Sequence, residues 1–198
     1  MVLFLFISCG TSIKSEKELL KWINNPKNGL VKRSTVNNFT LTMKYMPPAY
    51  LAFNEMVKDG HDKPEKFKEY LEIFKRSRTF LMSIENKTGS DASTYDVYTM
   101  GDYKQRIEQL NFNMKKAFVL KTSSKKEFSP VLTTLENLYE IGNKKLIYMV
   151  FSDAENEILE SETIDIRFED TFLDTGISHF LFQTENLDKL PKLTFVNN

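Results

Sequence analysis

Few side chains in this sequence could do chemistry, and their spacing excludes most of it. There is one cysteine, Cys9, and there are two histidines, His61 and His179. A zinc site needs three or four His, Cys or carboxylate ligands close together, and neither histidine has a second one at i+4. Asp153-Ala-Glu-Asn-Glu157 has the oxygen donors that start a calcium loop. Ile158, however, stands where that loop needs glycine, and Ile164 where it needs a bidentate glutamate. The segment reads as a solvated turn. No Gly-x-Ser-x-Gly elbow, Walker A loop or dinucleotide-binding glycine pattern occurs, and no carboxylate pair stands out for acid–base work. The expectation is no metal, no cofactor and no catalysis, with a hydrolase assembled from loops as the residual enzyme reading. That leaves the thiol of Cys9.

Cys9 follows an unbroken apolar run, Val2–Ile7, and the small Ser8. The run is far too short to span a bilayer, which takes ~20 apolar residues. Phe6-Ile7-Ser8-Cys9-Gly10 resembles the lipobox of bacterial lipoproteins. In that family the cysteine thiol receives a diacylglycerol, the peptide is cut just before it, and the new amino terminus is acylated. The resemblance implies a signal peptide over 1–8, a lipidated tether over 9–15 and lipid attachment at Cys9. It also implies a place in the cell envelope, on a bacterial membrane and facing the periplasm. Two features depart from the family pattern: no Lys or Arg precedes the run, and the run falls short of the usual ~7–15 residues. A start codon upstream of Met1 would account for both. The bland alternative is a buried strand over Val2–Ile7 with Cys9 as a small core residue.

The elements behind this anchor must supply everything else. The 198 residues carry 27 basic and 27 acidic side chains, a balance that argues against nucleic acid as a partner. Sixteen Phe provide material for a core, and one cysteine permits no intramolecular disulfide. Charge is uneven: 104–126 is basic and 153–188 strongly acidic. Opposite charges placed across neighbouring strands are the expected cause, and a polarised binding surface is the alternative.

Ser15-Glu-Lys-Glu18 is a capping box opening a helix with Leu19, Leu20, Trp22 and Ile23. Leu30–Val36 and Phe39–Met46 read as a hairpin across Asn37-Asn38, the second strand alternating Phe39, Leu41, Met43 and Tyr45 against Thr40, Thr42 and Lys44. A short helix over Ala49–Val57 follows Pro47-Pro48. Asp62-Lys-Pro-Glu65 caps a further helix whose Phe67, Tyr70, Leu71 and Phe74 stripe is expected to bury against the sheet. Arg78–Asn86 reads as a strand. The next helix should turn Met100, Tyr103, Ile107 and Leu110 inward. Five strands are then predicted, over Phe112–Thr122, Phe128–Tyr139, Lys145–Ser152, Thr163–Glu169 and Ile177–Gln183, with Leu146–Phe151 central.

Phe118-Val-Leu-Lys-Thr-Ser-Ser-Lys-Lys-Glu-Phe-Ser-Pro130, with Ile164-Asp-Ile-Arg-Phe168 and His179-Phe-Leu-Phe182, resembles strands of the telokin-like, immunoglobulin-type domains of bacterial lipoproteins. The likeness covers about the last 80 residues, and Lys125-Lys126 replace the usual glycine of the polar turn. The expected fold class is α+β: an antiparallel β-sandwich, immunoglobulin-like where the resemblance holds, with three to four packed helices in the N-terminal half. A helix-rich α+β part (16–110) and an antiparallel β part (111–198) should pack as one globular unit. A fold of this kind hosts many functions. The expected function is a non-catalytic binding or structural lipoprotein, an accessory of a multi-protein envelope assembly with a protein partner. An immunity-type inhibitor of a toxin in the periplasm is the alternative.

The anchor is directly testable. Cys9→Ala, expressed with its native upstream sequence, is expected to leave the membrane fraction in a host that processes lipoproteins. A metabolically incorporated fatty acid should label the wild type alone, and an exported but unlabelled wild type would end the lipoprotein reading.

Overall fold

The computed structural model describes residues 12–13, 16–60, 64–91, 94, 96–109, 113–136, 143–170 and 172–193. The stretch expected to be a signal peptide (1–8), Cys9, Ser15, His61, Asp62 and Leu110 lie outside the described residues. The architecture is α+β, with two antiparallel sheets, a short two-stranded pair and, among the described residues, six α-helices. The pair joins β1 (Ser12–Ile13) to β11 (Lys192–Leu193) in parallel.

Helix α1 (Glu16–Ile23) buries Leu19 and Ile23, which share a face at i, i+4. Asn25 caps a 3-10 turn over Pro26–Asn28. Gly29 then takes φ 75°, where a Cβ would stand 2.9 Å from the Asn186 side chain, so both backbone and space call for glycine. Strands β2 (Val31–Val36) and β3 (Phe39–Met46) pair across a two-residue loop, with Asn37 at φ 51°. Helix α2 (Pro48–Lys58) starts on Pro48, whose missing N–H is one the first turn leaves unbonded.

Helix α3 (Pro64–Phe74) corrects one expectation. Its stripe packs not on the sheet but on α2, where Phe67, Tyr70, Leu71 and Phe74 meet Ala49, Ala52 and Met56 in a small separate cluster. Only Phe67 of the four is fully buried. An αα-hairpin with alanines on the facing helix satisfies the stripe locally, without reaching the core.

Strand β4 (Arg78–Asn86) pairs with β3 on one side and with β8 (Lys144–Phe151) on the other. Between them helix α4 (Met100–Glu108) overturns a second expectation. Met100 is 81% and Tyr103 38% exposed, and α4 has no buried residue. The spacing is amphipathic, but the helix is stabilised by its cap: Thr99 accepts from the Asp102 N–H, and Asp102 accepts from that of Thr99. One tertiary tie is Arg106 over the Phe172 ring at 5.2 Å.

The long strands predicted after Phe112 are broken twice. Residues 114–117 form a 3-10 turn whose three-residue period buries Met114 and Ala117 and exposes Lys115 and Lys116. Strand β5 (Phe118–Thr122) therefore begins only at Phe118. Ser129-Pro130 then separates β6 (Glu127–Phe128) from β7 (Leu132–Glu136), and the two lie in different sheets. Proline has no N–H for a ladder, so pairing stops there, and the strand that follows joins the other sheet. In the turn between β5 and β6, Lys125 takes φ 70°, the conformation the missing glycine would have supplied.

After helix α5 (Glu157–Glu160) come β9 (Thr163–Glu169) and β10 (Ile177–Gln183), and α6 (Thr184–Asp188) closes the order. The sheets run β2-β3-β4-β8-β7 and β10-β9-β5-β6. The five-stranded sheet thus takes strands from both sides of residue 110. No helix among the described residues is long and apolar enough to cross a membrane.

The inner faces of the two sheets contribute to one hydrophobic cluster. Phe80 sits at its middle, 5.4 Å from Tyr45, 6.2 Å from Phe151 and 5.2 Å from Phe182 of the other sheet (ring centroids). Phe118 stacks on Phe168, its partner across the β5–β9 ladder, at 5.1 Å. Phe80→Ala is expected to cost about 3–5 kcal/mol, the range for a core phenylalanine. Phe74→Ala, half-buried in the satellite cluster, should cost about 1–2 kcal/mol. Urea melts of both variants check this, and equal losses would place the two rings in one core.

Candidate functional site

Alternation on β3 buries Phe39, Leu41, Met43 and Tyr45 and leaves Thr40, Thr42 and Lys44 on the outer face of the five-stranded sheet. Register fixes their neighbours. Thr42 lies opposite Arg33 of β2 and Ser83 of β4, and Thr40 opposite Glu85, which in turn faces Lys144 of β8. Lys44 lies between Val31 and Leu81. With Asn24 beyond the end of α1, these residues line a hollow of about 470 Å³.

The hollow gathers three cations, Arg33, Lys44 and Lys144, against one carboxylate, Glu85, over a floor of hydroxyls from Thr40, Thr42 and Ser83. Lys44 records the local field. Burial holds its ammonium below the ordinary lysine range, and the positive charges of Lys144 and then Arg33 lower it further. Because the folded-state value lies below the unfolded one, charged Lys44 costs the fold some stability at neutral pH. That cost is relieved as pH rises through the folded-state value. An anion in the hollow would relieve it too. Hydroxyls and cations on a rigid sheet can bind and orient an anionic group. No paired nucleophile and base accompanies them among the lining residues.

The residues singled out in the sequence are dispersed. Asp153 accepts backbone N–H bonds from Glu155, Glu157 and Ile158, so its carboxylate caps a turn and α5 rather than starting a calcium loop. His179 Nδ1 lies 2.8 Å from Asp165 Oδ2 on the four-stranded sheet. Among the described residues no group of three His, Cys, Asp or Glu could hold a metal ion. The basic and acidic segments meet at Lys126, whose ammonium stands 3.1 Å from Glu157 and 3.7 Å from Glu155. Bonds from Ser124 and then Lys126 hold the Glu157 carboxyl below its usual range, and Glu157 holds Lys126 above its own.

A second polar group lies at the other end of β4. Arg78 is 5% exposed, and its Nη1 donates to Asp188 Oδ1 at 2.6 Å and to the Tyr45 hydroxyl at 3.0 Å. Its Nη2 reaches Asp188 Oδ2 and the Leu159 carbonyl, both at 3.3 Å. Burial pushes the Tyr45 phenol above its ordinary value, so it stays protonated at neutral pH.

No protein-family model matches the chain, and neither does any curated protein or solved structure. Function must therefore be argued from the geometry.

Of the outer hollow, the sequence disclosed only the polar side of β3. Lys144 belongs to a strand far along the chain, and no local pattern joins it to Lys44. If the field in the hollow is as described, Lys144→Met should raise the Lys44 pKa more than Arg33→Met does. Both variants should leave it below the ordinary value, because burial remains. Lysine side-chain NMR titration measures this, and an unmoved Lys44 would mean that the cations do not share one field.

Proposed function

We propose that this chain is a non-catalytic binding protein of the cell envelope, held to a membrane through Cys9, that takes an anionic partner on the outer face of its five-stranded sheet. The observation that carries the reading is the excess of cations around the hydroxyl-lined hollow, in a chain whose net charge is zero. Among the described residues Arg33 and Lys44 have no carboxylate at ion-pair distance. A recess in which cations outnumber carboxylates on a fixed scaffold favours a partner bearing carboxylates or phosphates, and speeds its approach at low salt. A protein surface rich in Asp and Glu is the partner we favour, because carboxylates on a projecting segment can meet the cations and hydroxyls that line the hollow. The lipid anchor would keep such a partner at the membrane, as an accessory of an envelope assembly requires.

The test is a fluorescent oligo-aspartate peptide titrated against wild type and the double variant Lys44→Glu, Lys144→Glu. Wild type is expected to bind with an affinity that falls as salt rises. The double variant should lose at least about tenfold while still melting cooperatively as a folded protein, because these side chains lie outside the hydrophobic core. Equal binding by both proteins would remove the hollow from the reading. Co-purification with a single toxin rather than an assembly would move the assignment to an immunity-type inhibitor.

A further inference from the structure

We propose that the hollow beside Arg78 binds an apolar monocarboxylate, and that Asp188 is an internal carboxylate which such a ligand displaces. This cavity, of about 440 Å³, lies where Pro48 and Ala49 of α2, Leu71 of α3, Leu159 of α5 and Leu187 of α6 come together, with Leu190 beyond. Its walls are largely aliphatic, and its polar groups are Tyr45, Arg78, Asp188 and Lys75. That is the make-up of a small-molecule site: apolar lining with a few convergent polar groups.

The polar groups hold a surplus of donors. Four contacts occupy the two terminal nitrogens of Arg78, but its Nε is buried without an acceptor. The Tyr45 hydroxyl accepts from Arg78, and its own proton has no acceptor among the described residues. A guanidinium fork matches a carboxylate in two parallel bonds, and here only one carboxylate, that of Asp188, answers it. Asp188 is the mobile member by environment: its side chain is 57% exposed, at the last residue of a short helix, whereas that of Arg78 is 6% exposed. Asp188 can turn out to water when another carboxylate takes its place on Arg78, while Arg78 cannot follow.

Exchange of one carboxylate for another keeps the charge balance and gives the Tyr45 proton an acceptor. The second cation, Lys75, is engaged by Glu72 at 2.5 Å. With Asp188 displaced, the one positive charge of Arg78 among aliphatic walls suits a monoanion with a hydrocarbon tail, and not a phosphate.

The test uses decanoate, titrated calorimetrically into the full chain, with decanol and inorganic phosphate as controls. Decanoate alone is expected to bind saturably. Asp188→Asn should tighten it by about tenfold or more, because removing an internal competitor raises the fraction of receptive sites. If Asp188→Asn does not fold, Leu190→Trp carries the test: it leaves the ion pair intact, fills the hollow, and should lose decanoate with its thermal melt retained. No saturable decanoate binding by wild type and Asp188→Asn would overturn the proposal. So would decanol binding as well as decanoate, an unchanged affinity in Asp188→Asn, or wild-type affinity in Leu190→Trp.

Discussion

The ladder between β4 and β8 is the constraint on which the remaining structure depends. It pairs Arg78 with Phe151 at one end and Glu85 with Lys144 at the other. The two strands come from distant parts of the chain, so the cost of closing that loop precedes any gain from the ladder. Once formed, it places Met82 beside Ile147 and Phe80 beside Met149 on the inner face. It also carries Lys144 onto the same face as Lys44 and leaves Arg78 at the sheet's end, against α5 and α6. Both hollows are consequences of this one register.

That register is protected by chemistry as well as by apolar pattern. Lys144 and Lys145 are adjacent and face opposite ways. Lys145 is 2% exposed and donates to Asp91 at 3.1 Å. A slip of one residue that brings Leu146 in place of Lys145 would turn Ile147, Met149 and Phe151 outward and take the ammonium away from Asp91. A buried ion pair adds little net stability, yet a buried charge without its partner costs about 3–5 kcal/mol. The Lys145–Asp91 pair therefore acts chiefly against the wrong register.

Where local rules decide the outcome, the sequence was readable. The hairpin across Asn37-Asn38, the strands Arg78–Asn86 and Thr163–Glu169, and the α+β class all follow from alternation and turn chemistry. The failures share a cause. Met100 and Tyr103 have helical spacing, but spacing does not say whether a surface exists to receive them. Pro130 marks a break without saying that the chain crosses to another sheet there. The stripe on α3 predicts burial but not its partner. The outer hollow was half-legible for the same reason: Thr40, Thr42 and Lys44 declare a polar face, while Ser83, Glu85 and Lys144 join it only through pairing.

Net neutrality also concealed the site, because carboxylates and cations here serve different tasks. Asp170 accepts from the N–H groups of Phe172, Leu173 and Thr175 and from the Thr175 hydroxyl. Asp153 and Asp102 bind backbone N–H groups in the same manner. Such carboxylates are fixed by the turns and helix ends they cap and cannot swing toward a distant cation. None of them lines the outer hollow. Exposed charges further apart than about 8–10 Å are screened at physiological salt, so a balance struck over the whole chain does not hold within a recess. Arg33 and Lys44 can therefore set a positive potential on one face of a neutral protein. The residue count of a chain gives its total charge, and the capping of its turns decides where that charge is left uncompensated.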